Sequence, residues 1–321
     1  MKKIGCLVFF VFVCISALSY QYFRSAFFKP LMYEAPVVFD LKKGSSAQSV
    51  SAQLAHLGLA KHQLIVEILM RLKGYDKKLK AGEYLLEEKM SLDDILQKLT
   101  SGKVMMHQLT IPEGLTARQM LEIVAKNEFL SGNVTESVHE GEMLPETYTF
   151  AKGELRDNMI KKAKADMQEF LNKVWQSRAQ NLPLKNEDEL LILASLIEKE
   201  TGINAERGKV ASVFINRLNV NMPLQTDPTV IYAITNGTFD LNRSLKRKDL
   251  EVDSPYNTYR YKGLPPTPIC SPGKAALIAA AQPENTPYFY FVADGKGGHR
   301  FGKTLSEHNA NIKLWLKRKD L

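Results

Sequence analysis

The stretch Leu190-Leu191-Ile192-Leu193-Ala194-Ser195-Leu196-Ile197-Glu198-Lys199-Glu200-Thr201 joins a continuous apolar run to two glutamates. Residues 186–189, Asn-Glu-Asp-Glu, precede the run and provide a helix N-cap followed by acidic residues in the first turn. Leu190, Leu193 and Ile197 recur at helical spacing. We therefore predict a buried helix whose last turn carries carboxylates at the edge of the core. Burial raises the pKa of a carboxyl group, as a general acid near neutral pH requires.

The two glutamates occupy different faces of this helix. The apolar stripe through Leu193 and Ile197 continues to Glu200, whereas Glu198 follows a second stripe that is also largely apolar. The spacing therefore favours Glu200 only slightly. On this segment alone, a solvated helix end is an equal alternative, because perturbed carboxylates also occur in structural networks.

The first thirty residues have the pattern of a membrane anchor. Residues 4–20 are apolar, two lysines precede them, and aromatic residues follow them. This charge pattern predicts a cytoplasmic tip and a transmembrane helix within residues 1–30, with the rest of the chain exported. A signal peptide with a weak cleavage site at Ala17-Leu18-Ser19 is the alternative, and we favour the uncleaved anchor.

Length and composition are those of a folded protein with about two domains: 321 residues, 45% hydrophobic and 24% charged. The net charge of +8 suits an anionic partner such as lipid or a glycan. The basic runs are scattered and no nucleic-acid-binding signature accompanies them, so we expect no nucleic acid partner. Cys270 is the single cysteine of the exported part, which excludes an intramolecular disulfide there.

The exported part divides into two segments of an α+β protein. Residues 36–105 read as a small β-α-α-β module with an added helix and no catalytic pattern. Residues 106–321 read as a larger mixed α/β domain. Within it, residues 219–273 are rich in Pro, Gly, Asn, Asp and Tyr, and only short helices near residues 229–235 and 246–250 are expected. A loop region of this length predicts a binding cleft.

Signatures of the common catalytic chemistries are absent from the sequence. It has no Gly-rich phosphate loop, no serine-hydrolase elbow and no His or Cys cluster at metal spacing, so we expect no metal and no cofactor. We place His299 on a turn beside a strand, where it could contact substrate, and we favour the alternative that it is a surface histidine. A core-edge carboxylate beside polar, aromatic loops suits carbohydrate chemistry, since aromatic faces stack on sugars and amides bind hydroxyls. The loop candidates for sugar contacts are Gln225, Asp227, Tyr256, Asn257 and Tyr259.

Several sequence blocks, in the same order, closely resemble the YceG-like endolytic murein transglycosylases. These blocks are residues 194–201, 210–218, 224–232, 256–259, 263–266 and 290–299. More loosely, residues 80–84 and the following helix resemble that family's LysM-like module, and residues 144–148 resemble the entry to its catalytic domain.

The resemblance implies a lyase that cleaves nascent peptidoglycan strands between N-acetylmuramic acid and N-acetylglucosamine. No water is consumed, and a 1,6-anhydromuramoyl end is left. One glutamate of this family does the acid and base work, and we map it to Glu200, because Glu followed by a small hydroxyl residue resembles the Glu-Ser of other lytic transglycosylases. Glu198 joins the five loop residues as an expected substrate-binding residue.

The resemblance also implies where the protein works and with what. The expected location is the inner (plasma) membrane, with one membrane-spanning helix and the catalytic domain on the periplasmic or extracytoplasmic side. The expected partners are peptidoglycan glycan strands, the membrane and cell-wall synthases. A non-catalytic, membrane-anchored peptidoglycan-binding scaffold is the alternative function, since the anchor and the small module would serve it equally well.

Overall fold

Helices and short strand pairs make up the chain in a computed structural model that describes residues 2–34 and 36–319. Met1 of the expected cytoplasmic tip, and Asp320 and Leu321 of the expected catalytic domain, lie outside the described residues. The helices are α1 Lys2–Phe28, α2 Ala47–His56, α3 Gln63–Lys73, α4 Leu92–Ser101, α5 Ala117–Lys126, α6 Arg156–Gln176, α7 Glu187–Glu200, α8 Asn204–Asn219, α9 Asp227–Thr235, α10 Lys274–Ala281 and α11 Leu305–Lys319, with a 3₁₀ helix at Arg247–Glu251. The strands are β1 Val37–Leu41, β2 Gly82–Leu86, β3 Met106–Thr110, β4 Thr147–Ala151, β5 Tyr290–Ala293 and β6 His299–Gly302. The prediction of a mixed α/β chain with one apolar N-terminal helix is confirmed.

Helix α1 contains a segment that is long and apolar enough to cross a membrane. This segment is Leu7–Phe28, with 22 residues and a mean hydropathy of 1.6. Its most apolar window is not buried within the protein. Length and composition therefore fit a membrane span, and a signal sequence would have the same properties.

The chain forms two compact units. The first comprises Met1–His107 and Thr149–Gly153, and the second comprises Gln108–Tyr148 and Glu154–Leu321. In the first unit, β1 and β2 pair antiparallel from Val37↔Leu86 to Leu41↔Gly82. Together with α2, α3 and α4 these strands enclose an apolar core.

Helix α7 lies at the centre of the second unit and packs against α6, α8, α9 and α10. The Asn186 side chain caps it by accepting a hydrogen bond from Glu189 N at 3.0 Å. Residues 190–197 are all buried, so the helix is covered on every side between its first and last turns. The predicted buried helix is confirmed, and its end brings Glu198 and Glu200 to the edge of the core.

A β-hairpin, β5–β6, follows α10, with Ala293 opposite His299. The expectation that His299 lies on a turn is wrong, because the turn ends one residue earlier and His299 begins β6. Asp294 closes the turn by accepting hydrogen bonds from Lys296 N at 2.6 Å and Gly298 N at 3.0 Å. Helix α11 packs on both strands of the hairpin.

Helix α9 begins at Asp227, earlier than the sequence pattern predicts. Pro228 accounts for the early start, because proline is favoured in the first turn of a helix, where its missing N–H has no partner to lose. Thr226 is the N-cap residue of α9. The early start brings Thr226 and Asp227 close to the end of α7.

Candidate active site

Glu200 is the last residue of α7, and its Oε1 accepts a hydrogen bond from the hydroxyl of Thr226. Burial raises the pKa of the Glu200 carboxyl, and the negative charge of Asp227 adds to the rise. The hydrogen bond from Thr226 and the charges of His299 and Arg217 oppose it. The net effect is a raised pKa, so the Glu200 carboxyl keeps its proton at a pH where an exposed glutamate is ionised. A general acid requires this protonated state.

Three threonines fix the position of the hydroxyl that contacts Glu200. Thr226 N donates to Thr258 Oγ1 at 3.1 Å, and the hydroxyls of Thr258 and Thr229 are 2.8 Å apart. The Thr229 hydroxyl also donates to the Thr226 carbonyl at 2.7 Å. All three threonines are at most 2% exposed. The Thr226 side chain is therefore held by a buried network that is satisfied within the protein.

Gln225, Asp227 and Tyr259 surround this contact with polar groups. The Tyr259 hydroxyl donates to Asp227 Oδ1 at 2.6 Å. Burial, together with the negative charge of Asp227, raises the pKa of Tyr259, so this phenol stays protonated. Gln225 is exposed, and its backbone adopts the left-handed conformation with φ of 50°. These three predicted residues lie on the two segments that meet at Thr226 and Thr258.

Asn257 is placed differently from a residue that binds a sugar. It is fully buried, and its amide nitrogen donates to Leu250 O at 2.9 Å and Val252 O at 2.8 Å. Its Oδ1 accepts a hydrogen bond from Tyr259 N at 3.0 Å. Both ends of the amide are thus used within the loop, where they hold the Tyr259 backbone.

Tyr256 faces a separate cavity of about 290 Å³, whose lining includes Glu140 and Tyr232 but not Glu200. The rings of Tyr256 and Tyr232 are 4.8 Å apart, and the Tyr256 hydroxyl is 2.7 Å from that of Thr267. Burial raises the pKa of Glu140 to about 7. The hydrogen bond that Glu140 accepts from Ala117 N favours the ionised form and opposes this rise. The structure therefore brings Tyr256 to Glu140 instead of Glu200.

Glu198 points away from Thr226 and is engaged by two other parts of the second unit. Its Oε2 accepts a hydrogen bond from Gly273 N at 2.9 Å, and its Oε1 lies 3.3 Å from Nη2 of Arg207. The side chains of Glu198 and Arg207 are only 6% and 7% exposed. This buried ion pair ties α7 to α8 and to the residue that precedes α10.

Glu113 joins the same ion pair, although no motif or spacing in the sequence distinguishes it from other exposed glutamates. Its Oε2 lies 3.6 Å from Nη2 of Arg207. Burial and the charge of Glu198 raise the pKa of Glu113, and Arg207 opposes the rise. A Cβ at residue 273 would lie 1.8 Å from Glu113 Oε1, so the Glu113 side chain occupies the space that the absence of a side chain at Gly273 leaves open.

Arg217 of α8 is a buried cation held by backbone carbonyls. Its Nε donates to Phe289 O at 2.7 Å and its Nη1 to Leu224 O at 2.6 Å, while its side chain is 7% exposed. Burial lowers the pKa of Arg217, yet a guanidinium stays charged at any physiological pH. Carbonyl groups carry no net charge and do not neutralise Arg217. Its positive charge therefore lowers the pKa of Glu200. No local sequence signal distinguishes this arginine from the others.

The acidic groups of the site belong to hydrogen-bonded and ionic pairs. Among residues 2–34 and 36–319, no group of three or more His, Cys, Asp or Glu side chains is arranged to hold a metal ion. The geometry is that of a single partly buried carboxyl group flanked by a hydroxyl donor, a phenol and an arginine.

Fold and site together define a class of protein: a mixed α/β chain with an apolar N-terminal helix and a core helix that ends in two glutamates, of which Glu200 contacts a threonine hydroxyl. The chain belongs to the YceG-like family, whose family model matches residues 39–314. The resemblance of the sequence blocks is thereby confirmed.

Relatives of known name agree with this membership. The chain is 33% identical to an endolytic murein transglycosylase of Bacillus subtilis (strain 168), over 88% of the chain and 86% of that protein. It is 30% identical to an endolytic murein transglycosylase of Streptococcus pneumoniae (strain D39), over 86% of the chain but only 58% of that longer protein. A crystal structure of a YceG-like protein from Listeria monocytogenes is similar with a TM-score of 0.50 and 33% identity, covering 86% of the chain and 99% of that structure.

Proposed function

We propose that this chain is an endolytic murein transglycosylase, a lyase of peptidoglycan, in which Glu200 is the general acid and base. The observation that carries the proposal is the Glu200 carboxyl group, whose pKa is raised by burial and whose oxygen is held by Thr226. Membership in the YceG-like family and relatives that carry this name support the activity. The substrate is the peptidoglycan glycan strand.

The reaction needs one acidic group and no water. Glu200 protonates the oxygen between the N-acetylmuramoyl and N-acetylglucosaminyl residues, and the bond from C1 of the muramoyl residue to that oxygen breaks. The 6-hydroxyl of the same muramoyl residue attacks C1 and gives its proton to the Glu200 carboxylate, which leaves a 1,6-anhydro ring and restores the acid. A hydrolase would need a second carboxylate as nucleophile or to activate water. An internal hydroxyl removes that need.

The residues around Thr226 are our candidates for sugar contacts. Gln225 and Asp227 are exposed, and the Asp227–Tyr259 hydrogen bond presents a polar edge beside Glu200. Tyr256 would contact a sugar further along the strand, through the cavity that it lines with Tyr232. Aromatic faces of this kind stack on sugar rings.

Glu198 and Asn257 contribute to this proposal through the protein itself. Both oxygens of Glu198 and both ends of the Asn257 amide are used by other parts of the chain. We therefore propose that they hold the substrate-binding segments in place and affect sugar binding indirectly.

Each segment of the chain has its own role in this proposal. We propose that residues 1–30 anchor the protein in the plasma membrane and that residues 36–105 are a LysM-like module. We further propose that residues 106–321 form the catalytic domain, with a loop-rich cleft on the extracytoplasmic side. This location would bring it near cell-wall synthases, its proposed protein partners. The intact mass of protein extracted from membranes tests the anchor: loss of the first nineteen or so residues would identify a cleaved signal instead.

Product analysis with the detergent-solubilised full chain tests the activity. Wild-type protein should release soluble fragments with 1,6-anhydromuramoyl ends from purified sacculi, and E200Q should release none while unfolding at the same temperature. E169Q, which removes an exposed carboxylate of α6, is the matched control and should behave as wild type.

Three results would contradict the proposal in distinct ways. Muramic acid reducing ends would identify a hydrolase, because hydrolysis adds water across the bond. Full activity of E200Q would exclude Glu200 as the acid. Binding to sacculi without release of any soluble fragment would favour the non-catalytic scaffold.

A further inference from the structure

Helix α3 exposes a stripe of three apolar side chains. Leu64, Ile68 and Leu72 recur at every fourth residue, so they share one face of the helix. They are 67%, 47% and 73% exposed. A different face of α3 is buried in the core of the first unit. A helix in water normally presents polar residues outward, so an exposed apolar stripe indicates a contact outside the unit.

The outer part of α1 lies beside this stripe. Leu18, Tyr22 and Phe23 of α1 line a groove of about 390 Å³ together with Ile65 and Ile68 of α3. Both helices belong to the first unit, so the groove is internal to one compact body. Helix α3 is therefore level with residues 18–23 of α1.

This part of α1 coincides with the outer boundary of the proposed membrane span. A span needs about 20 predominantly apolar residues, and counting from Ile4, just after the two lysines, ends at Phe23. Tyr20 and Tyr22 have the aromatic character that is enriched at membrane interfaces. Phe27 is fully buried in the core of the first unit, so α1 has left the lipid by that residue. The groove shared with α3 thus lies where lipid meets water.

Two lysines lie at the same boundary. Lys29 follows the end of α1 and Lys61 precedes α3, and both line a cavity of about 480 Å³ with Tyr22 and Ile65. Both lysines are exposed. Ammonium groups next to an apolar surface suit the phosphates of anionic lipids.

We propose that α3 is an interfacial helix that lies on the outer leaflet of the membrane crossed by α1. Its stripe of Leu64, Ile68 and Leu72 enters the boundary between headgroups and acyl chains, and Lys29 and Lys61 contact lipid phosphates. This inference rests on the proposed anchor and adds a second contact with the same membrane. The partner is a phospholipid surface, because the stripe adjoins a groove that the membrane-spanning helix itself lines.

The second contact would fix how the first unit faces the membrane. A single span holds the protein at the membrane, but its tilt and rotation depend on packing and on interfacial anchors. Helix α3 provides such an anchor on the same compact unit. One face of the unit is then held against the lipid, and the rest remains in the extracytoplasmic space.

Tryptophan fluorescence of the full chain in phospholipid vesicles tests the position of α3. L64W and L72W each place an indole on the stripe, and both should lose emission when the acyl chains carry bromine, which quenches only at short range. V13W, within the span, should also be quenched. L85W replaces an exposed leucine of β2 in the same unit, and this matched control should keep its emission. The wild-type chain supplies the background from its two native tryptophans.

Vesicle composition tests the two lysines. Quenching of L64W should be stronger when phosphatidylglycerol is added to brominated phosphatidylcholine, because its phosphate carries a net negative charge. The double change of K29Q and K61Q should remove this difference. If the difference persists, the lysines do not bind the headgroups and that part of the proposal is overturned.

The pattern across the variants separates the inference from the proposed anchor. If V13W is quenched while L64W and L72W keep their emission, the anchor stands and the inference is overturned; cross-linking of the stripe to another protein would then identify a protein partner instead. If V13W also keeps its emission, the anchor fails with it. Equal quenching of L85W would overturn the inference, since the contact would not be specific to α3. Unfolding temperatures equal to that of the wild type show that the variants are folded.

Discussion

The hydroxyl of Thr226 donates a hydrogen bond to Oε1 of Glu200, so the residue that caps α9 holds the carboxyl group that ends α7. A donor favours the ionised carboxylate, whereas burial favours the protonated acid. Both effects act on Glu200, and burial is the larger. The site therefore combines a proton that is held firmly with a carboxylate that is stabilised once the proton has left.

Replacing Thr226 by valine should move the basic limb of the pH–rate profile to higher pH. Without the hydroxyl donor the pKa of Glu200 rises further, because the ionised form loses its stabilising contact. T226S keeps the donor and should retain the wild-type limb. Initial rates of fragment release across pH provide the measurement. A limb that stays in place in T226V would show that this hydrogen bond does not control the proton.

Replacing Glu198 by glutamine should destabilise the protein more than it impairs catalysis. Arg207 would lose its nearest carboxylate in a buried position, and breaking a buried ion pair in this way costs about 3–5 kcal/mol. The remaining amide oxygen can still accept from Gly273 N, so the fold should survive. Denaturant unfolding measures the stability, and the rate per folded molecule measures the activity. Loss of activity with unchanged stability would make Glu198 a direct participant.

Glu140 should make stability fall as the pH rises from about 4.5 to about 7. Its folded-state pKa is raised from 4.5 to about 7, so in that range the folded chain keeps a proton that the unfolded chain has lost. The loss should be about 1–2 kcal/mol after allowance for partial exposure. E140Q should have a flatter profile than wild type or the E169Q control in thermal unfolding across pH. If the stability of E140Q depends on pH as that of the wild type does, Glu140 is not the group that causes the fall.

Replacing Arg217 by lysine should destabilise the protein. The guanidinium donates to carbonyls on two separate segments, at Leu224 and Phe289, and a single ammonium group cannot reproduce that fork. R217K should therefore lower stability by about 1–3 kcal/mol through unpaired buried carbonyls. R247K, at an exposed arginine, is the control and should have no effect. Equal unfolding temperatures of R217K and wild type would contradict this explanation.

Local patterns were sufficient for α7 and insufficient for β6. The apolar run and the Asn186 cap lie next to each other in the chain, so they predict α7 without any tertiary contact. Strand β6 is four residues long and exists because it pairs with β5 across a turn closed by Asp294. Such pairing has little local signal, and His299 was therefore placed on the turn.

The sequence predicts which polar and aromatic residues belong to the candidate site. It does not predict which groups their side chains contact. Tyr259 and Asn257 have the same polar character in the sequence, yet the Tyr259 hydroxyl binds Asp227 and the Asn257 amide is used up by the loop. Thr226 and Arg217 had no distinguishing pattern, since their partners lie on other segments. Hydrogen bonds between distant segments depend on packing, which periodicity does not describe.

By itself the sequence determined the buried helix with its two terminal glutamates, the apolar N-terminal helix and the family. These follow from spacing, capping and ordered motif blocks, which are properties of neighbouring residues. Only the tertiary structure decided what each glutamate contacts. The last turn of α7 points Glu198 toward Arg207 and Gly273, and Glu200 toward Thr226. Those partners come from α8, the start of α10 and the cap of α9, which only folding brings together.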